Sequence, residues 1–437
     1  MRLAMPTAWG VCMVMSIGLA DIYFLARFGD RELAAISYAL PIQLILTSAA
    51  MGLAMATNAL VSPALGNGDE ARAQARANAA LTLTAVTGLI IAGLGIVTAR
   101  PLFSFIGASG ETLDLIVFYM RVWYPSFVLL ALAMVGNAVI RASGDAVRPA
   151  IVMTFAAGSN IALAPLFIFG FGVVPEFGMT GAAIATVIAR IAMFAVLLAF
   201  LLRALRLRTL RWRLNIAIWA RLFRFGLPAA GSNVINPIGI AAVTAALGFM
   251  GEEAVSAFGI SSRIQLIAIV PLLALATAIG PVVGQNHGAG LKPRVCRALL
   301  VATGAVVAYG SALAVLLFSY GGWLAGLFTD SLVIGDWIAL YMRILPASLI
   351  AYGVLIVMMG ALNAVGRPVP GLIAAAVRTG VVTIPGVFLV AQLGYVWPVF
   401  AVIAVGNVIG GAIALGAARK ARLFERRPSL SLGSSAG

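Results

Sequence analysis

Three kinds of polar side chain interrupt the apolar stretches of this chain where they could do chemistry. One is a carboxylate, Asp21, inside MVMSIGLADIYFLARFG. One is an amide, Asn160, inside GSNIALAPLFIFG. The third kind is basic: Arg190, Arg263 and Arg378 each break an otherwise apolar run. A carboxylate removed from water favours its protonated form and can exchange a proton near neutral pH. Ionisable groups within a membrane span usually face a cavity and mark an ion or substrate pathway. Asp21 therefore reads as a coupling-proton site, with a structural ion pair to one of the three arginines as the plainer reading. Asn160 must find partners, and Asp21 is one if their helices adjoin; glue between helices is the alternative. Arg263 lies near a span end and can snorkel to the interface, whereas Arg190 and Arg378 lie deeper. Tyr38, Gln43, Asn236, Gln265 and Tyr352 could line a cavity with those two arginines, and packing is an equal reading for each.

Other chemistries have no carrier. There is no GxxxxGK[ST], no HExxH and no Gly-x-Ser-x-Gly elbow, so nothing points to nucleotide binding, metal hydrolysis or a serine nucleophile. Cys12 and Cys296 fit no metal or redox spacing and read as packing residues, and His287 is the sole histidine. No cofactor is expected, the chain is not expected to be an enzyme, and energy for transport would come from an ion gradient.

The elements that position these residues follow from composition. Of 437 residues 62% are hydrophobic and 10% charged, and the mean hydropathy is +1.07. A soluble chain would be nearer a quarter charged. Apolar runs of about 20 residues recur along the whole length, each able to cross a hydrocarbon core as a helix. Twelve spans can be drawn, from 4–26 to 397–417. The N-terminal apolar run has no small-residue cleavage site and continues to Asp21, so it reads as a span and not as a signal peptide.

An even number of spans puts both termini on one side. Placing them inside leaves twenty-one basic residues in inner loops and termini, among them seven arginines from Arg203 to Arg224, against Arg27, Arg31 and Arg100 outside. Positive charge in short loops sets orientation, so both termini are expected in the cytoplasm of a cell whose inner membrane holds the protein. The net charge of +15 is then a topology signal with some attraction to anionic lipid, and no nucleic-acid partner is expected.

The chain also repeats. At an offset of 222 residues, FGDRELAAI (28–36) overlies MGEEAVSAF (250–258) and Ile42-Gln43 overlies Ile264-Gln265. Gly66-Asn67-Gly68 likewise meets Gly288-Ala289-Gly290, Tyr119-Met120-Arg121 meets Tyr341-Met342-Arg343, and Gly144 meets Gly366. Arg121 and Arg343 read as structural residues near span ends. Asp21 has no acidic counterpart, since position 243 is valine. Two copies of six spans share one orientation, the parallel kind of repeat. The expected organisation is an all-α polytopic protein with six-helix lobes at 1–202 and 226–418, related by a pseudo-twofold. An arginine-rich cytoplasmic linker (203–225) joins them, and a disordered tail follows (419–437).

These motifs resemble the multidrug and toxic compound extrusion (MATE) transporters over nearly the whole chain. ADIYFLARFGDRELAAISYA is similar to that family's Asp-bearing first span, and SPALGNGDEARAQ and VGQNHGAGLKPRV to its glycine turns. NAVIRASGDAVRP and GALNAVGRPVPG are similar to the ends of its fourth and tenth spans. The resemblance implies twelve helices in two lobes, a V-shaped central cavity and antiport of organic cations against H⁺ or Na⁺. It implies that Asp21 is the cation-coupling aspartate, with Asn160 beside it. It also implies departures. Ala164 stands where some proton-coupled members carry a second aspartate, and Asn236 and Tyr352 stand where sodium-coupled members carry carboxylates. The second departure, the lack of carboxylates in the second lobe, favours H⁺ over Na⁺ and leaves Asp21 as the sole acidic candidate. The expected partners are a cationic amphiphilic solute and membrane lipid, with the chain a monomer. A flippase or exporter of a lipid-linked or anionic metabolite is the alternative function.

Overall fold

The computed structural model describes residues 4–28, 30–170, 175–204, 215–329 and 331–425. Arg2, Asp330, the middle of the arginine-rich linker and the tail from Arg426 onward lie outside the described residues. Among the described residues every regular element is helical. They are α1 (Ala4–Phe28), α2 (Asp30–Gly66), α3 (Glu70–Phe105), α4 (Gly110–Ala142), α5 (Val147–Ile168), α6 (Gly178–Ala204) and α7 (Ile216–Gly248). There follow α8 (Glu252–Ala268), α9 (Val270–Gly288), α10 (Lys292–Gly326), α11 (Leu332–Ala364), α12 (Pro368–Ala376), a π-helical turn (Val377–Thr383), α13 (Ile384–Ala391) and α14 (Val396–Lys420). Ten rods are long and apolar enough to cross a membrane, and α8 with α9 makes an eleventh if the bent pair counts as one. Within α1 the apolar stretch is Met5–Val14.

Hydropathy underestimates the helices because it registers only their apolar middles. The 37 residues of α2 span about 55 Å at 1.5 Å per residue, well beyond a bilayer core. Two of the spans are interrupted. The eighth bends by 42° between Ala268 and Val270, because Pro271 lacks the N–H that would close the turn there. Its repeat position is Ala49, and α2 runs on without a break. The eleventh is interrupted by the π turn, where the hydroxyl of Thr383 donates to the carbonyl of Arg378 at 2.8 Å.

The repeat is written into the backbone. Gly68 and Gly290, 222 residues apart, both take the left-handed conformation, with φ +75° and +72°, that closes the turns after α2 and α9. A side chain there would be strained.

By contact density the chain forms two compact units, residues 1–61 with 71–234, and 62–70 with 235–437. The boundary falls inside α7, past the linker, because the start of α7 belongs to the first unit's packing. The indole of Trp219 donates to the carbonyl of Ala79 at 3.1 Å, and a Cβ on Gly52 would lie 2.4 Å from the carbonyl oxygen of Gly226. The first unit's core is aromatic, with Phe103, Trp123, Tyr124 and Phe127 buried together. The second has two buried clusters, one around Leu272, Leu299 and Met358 and another around Phe258, Tyr341 and Phe400.

Within the second unit the end of α2 lies against α9 at backbone distance. A Cβ on Gly66 would sit 2.0 Å from the Gln285 carbonyl oxygen, one on Gly288 2.2 Å from that of Pro63, and one on Gly284 2.7 Å from the Ser62 Cβ. Ser62 and Gly284 are equivalent positions of the repeat, and the Pro63–Gly288 contact maps onto Gln285–Gly66. The contact is unchanged when the two copies of this segment are exchanged. Small residues are what allow helices so close. Replacing Gly66 or Gly288 with alanine should destabilise the protein by about 1–3 kcal/mol, the usual cost of overpacking. A lower melting temperature in detergent would show it, and an unchanged one would contradict the contact.

The tail up to Glu425 packs on the start of α10. Glu425 accepts from Lys292 Nζ at 2.9 Å, and the buried Cys296 thiol donates to the Phe424 carbonyl at 3.4 Å. The hydrogen bond from Lys292, aided by Lys292 and Arg422 charges, holds the Glu425 carboxyl below its ordinary range. A depressed carboxylate pKa contributes stability above the unfolded value of 4.5 and loses it as pH falls through the folded value. Acidification below that range, or Glu425→Gln at neutral pH, should free the tail and speed maleimide labelling of Cys296. Equal labelling rates would show that the ion pair does not hold the tail.

Candidate functional site

In the first unit, α1 packs against α5. The indole of Trp9 donates to the Thr154 hydroxyl at 2.9 Å, and the rings of Phe24 and Phe169 meet edge to face at 6.4 Å. Both pairs are separated by 145 residues, while a Cβ on Gly10 would touch Ala150 Cα, 140 residues on. Those offsets put Asp21 level with α5 positions 161–166. Asn160 then lies one to six residues lower, about 1.5–9 Å along the axis. The Asp21 side chain itself lies outside the described residues.

Asn160 is 1% exposed. Its Nδ2 donates to the Thr186 hydroxyl on α6 at 3.3 Å, and its Oδ1 is buried with no donor among the described residues. One turn further along α6, Arg190 Nη1 donates to Ser126 Oγ on α4 at 2.6 Å, with the guanidinium 4.8 Å from the Trp123 ring centre. Gln43 Nε2 donates to the Tyr119 hydroxyl at 3.3 Å, and Tyr38 packs half-buried on the aromatic core. Between α1 and α5, lined by Pro6, Trp9, Ile151, Phe155, Gly158 and Ser159, is an open cavity of about 820 Å³. It is mostly apolar with two aromatic rings, a lining suited to an amphiphilic organic molecule.

The second unit gathers three of the candidates, Arg378, Asn236 and Tyr352, into one cluster. Arg378 Nη2 donates to Asn236 Oδ1 on α7 at 2.7 Å, and Nη1 to Asn407 Oδ1 on α14 at 3.0 Å. The guanidinium carbon lies 5.0 Å from the Tyr352 ring centre on α11, a cation–π distance. Asn407 in turn donates to Ser348 Oγ at 3.0 Å, which orients its amide oxygen toward the arginine. Gly406 and Gly410 on α14 make the room: a Cβ on Gly410 would lie 3.0 Å from the Arg378 Cβ. Gln265 stands apart, accepting a hydrogen bond from the hydroxyl of Tyr341.

The Gln43–Tyr119 and Gln265–Tyr341 pairs are the same pair in the two copies. Ser126 and Ser348 are also 222 residues apart, each bonded to the side chain that comes from its unit's last helix, Arg190 and Asn407. Trp123, Ser126, Ser348 and Asn407 were not foreseen from the sequence. The repeat offset would have flagged the two serines, and the rule that made Asn160 a candidate applies equally to Asn407.

A family model, MatE, matches residues 6–166 and 228–389. The two matches begin 222 residues apart. The chain belongs to the MATE family of transporters. It is 33% identical over 393 residues to an FAD transporter of Shewanella oneidensis, covering 88% of this chain and 86% of that protein. It is 24% identical over 407 residues to the multidrug export protein MepA of Staphylococcus aureus, covering 91% and 88%. Among solved structures, the Vibrio cholerae MATE transporter VcmN in its bent form superposes with a TM-score of 0.88 at 28% identity over 97% of each chain. As a MATE transporter the chain is a multi-pass membrane protein, and the relatives it matches are transporters, not enzymes.

In the repeated Gln–Tyr pair both tyrosines are buried. Tyr341→Phe leaves Gln265 Oε1 without its donor and should cost about 1–3 kcal/mol. Tyr119→Phe should cost less, because Gln43 Nε2 also faces Met120 Sδ at 3.9 Å. Melting temperatures of the two variants in detergent test the order; a reversed order would refute it.

Proposed function

We propose that this MATE transporter is a proton-coupled exporter of the inner membrane, with Asp21 carrying the coupling proton. Twelve helices in two six-helix lobes, both termini in the cytoplasm and a monomeric working unit complete the reading. The supporting observation is the second unit's polar cluster, in which the charge is a guanidinium and its partners are amides, a hydroxyl and a ring. Among the described residues that cluster holds no carboxylate and no histidine. Titration is left to the first unit, where Asp21 is the one carboxylate placed within a span.

Asn160 supplies the second part. Its Oδ1 accepts but cannot donate, so a protonated Asp21 can bond to it and an ionised one cannot. A shift of α1 along α5 of up to about two turns would bring the groups level. Protonation would thus favour one packing of α1 against α5 and deprotonation another, and the transported solute would leave as the proton enters. The solute in this reading is a cationic amphiphile, its apolar part suited to the groove of Trp9 and Phe155.

A second reading has its own observation. Arg378 is an intramembrane cation with no carboxylate against it among the described residues, and the Shewanella relative, an FAD transporter, matches at higher identity than the multidrug exporter. An organic solute bearing an anionic group, a flavin among them, would suit such a site.

Everted vesicles loaded with a cationic dye or with FAD, under an imposed pH or sodium gradient, test both readings. Transport driven by the pH gradient should fall to background in Asp21→Asn while the protein still folds. Full activity in that variant, or activity that follows sodium, would sink the proton mechanism. The solute that moves decides between the cationic and anionic readings.

A further inference from the structure

The second unit holds a positive charge that no carboxylate among the described residues neutralises. Arg378 sits midway along the α12–α13 rod, in the π turn, and its hydrogen bonds among the described residues go to neutral amide oxygens of Asn236 and Asn407. Its Nε is buried and has no acceptor among the described residues. The described acidic residues of this unit, Asp69, Glu70, Glu252, Glu253, Asp336 and Glu425, all lie at helix ends or in the tail. A charge in a low-dielectric interior is costly unless it is paired, and intramembrane ionisable groups are functional more often than not.

The surroundings are built for this side chain. The π turn is a feature that recurs at functional sites. Asn407, 2% exposed, has its amide direction set by Ser348, so it offers the arginine an oxygen and no charge. What remains is a concentration of unused donors. A guanidinium has five N–H groups in a fixed fork; two are occupied here. The Asn236 amide nitrogen adds further donors, since among the described residues only its Oδ1 is engaged. The Tyr352 ring lies 5.0 Å from the guanidinium carbon, and a guanidinium edge with unused N–H groups suits a planar or tetrahedral oxyanion.

We propose that the second unit binds an oxyanion, a phosphate or carboxylate, at Arg378. The anion completes the charge balance of the cluster, with the guanidinium edge giving a forked pair of hydrogen bonds and Asn236 Nδ2 a third. It is either the anionic group of the transported solute or a resident inorganic ion. The first source rests on the reading of the chain as an exporter of an anionic solute; the site itself does not.

The test is binding without any gradient, so its outcome is independent of proton coupling. The full chain is placed in nanodiscs of phosphatidylcholine, which carries no net charge, and titrated with inorganic phosphate or with phenyl phosphate at constant ionic strength, reading tryptophan fluorescence and melting temperature. Saturable binding is expected in the native protein. Arg378→Gln should weaken it about 10- to 100-fold, the loss of a charged hydrogen-bond pair, and Arg378→Lys should fall between. Because Arg378→Gln could also disturb folding, Asn407→Asp is the decisive variant. It is nearly isosteric and supplies a built-in counter-ion, so it should melt no lower than the native protein and yet lose anion binding. Phenyl phosphate binding more tightly than inorganic phosphate assigns the site to the solute; equal binding assigns it to a resident ion. Equal anion affinity in native, Arg378→Gln and Asn407→Asp proteins would overturn the site, leaving the Asp21 mechanism untouched.

Discussion

Within the hydrocarbon region water is not available to satisfy a polar group, and each one must find its partner in the protein. That constraint explains the arrangement of nearly every polar side chain described here. Serine and threonine hydroxyls fold back on their own helices, as Ser48 does to Leu44 and Thr84 to Ala80. Glutamines find tyrosines, asparagines find hydroxyls, and arginines find hydroxyls, amides and rings. These side-chain ties cross between helices far apart in the chain, from 26 to 142 residues, so they add specificity to apolar packing that is otherwise permissive. The few groups left over, Asn160 Oδ1 and Arg378 Nε among them, are exceptions that call for an explanation in function.

Close packing is the other side of the same constraint. Lipid is as apolar as a leucine side chain, so helices gain by approaching until dispersion contacts are dense. The 47 glycines serve this end at particular places. Gly181 brings α6 to within contact of the Phe167 carbonyl on α5, Gly411 brings α14 to Ala351 on α11, and Gly310 lets Ile350 press on α10. Gly406 and Gly410 instead create a recess for a polar side chain, so a glycine pair can serve packing and site construction together.

How far this was legible in the sequence depends on the range of the interaction. Helix existence follows from runs of apolar residues, a local property, and the helices expected are present at the expected places. The repeat was legible because identical turns need identical glycines, as at Gly68 and Gly290. Helix interruptions were not. Pro271 bends α8–α9, but prolines at 101, 125 and 165 lie inside helices that continue, so proline alone does not announce a break. The π turn at Arg378 has no local signature, since it depends on Gly239, Gly406 and Gly410 leaving space on two neighbouring helices. Likewise the deep arginines were visible singly as charges in apolar runs. Which neutral groups would hold them, Asn407 above all, depended on helix adjacency that a single sequence does not encode.

Duplication gives a scaffold two equivalent sets of positions, and the two sets here have diverged in charge. At the level of the Gln–Tyr pairs and of Ser126 and Ser348 the copies still match. Around those fixed ties the first copy carries Asp21 on its first helix where the second carries Val243. The second copy carries a guanidinium, Arg378, held by amides. A carboxylate exchanges its charge with the proton concentration, whereas a guanidinium keeps its charge at any physiological pH. In the reading proposed above, the first half carries the group that senses a proton gradient, while the guanidinium of the second presents a constant positive charge. A transporter that needs one variable and one fixed charge would lose function if the halves were alike, and this gives a physical reason for the departure from symmetry at the very positions where the sequence departs from its own repeat.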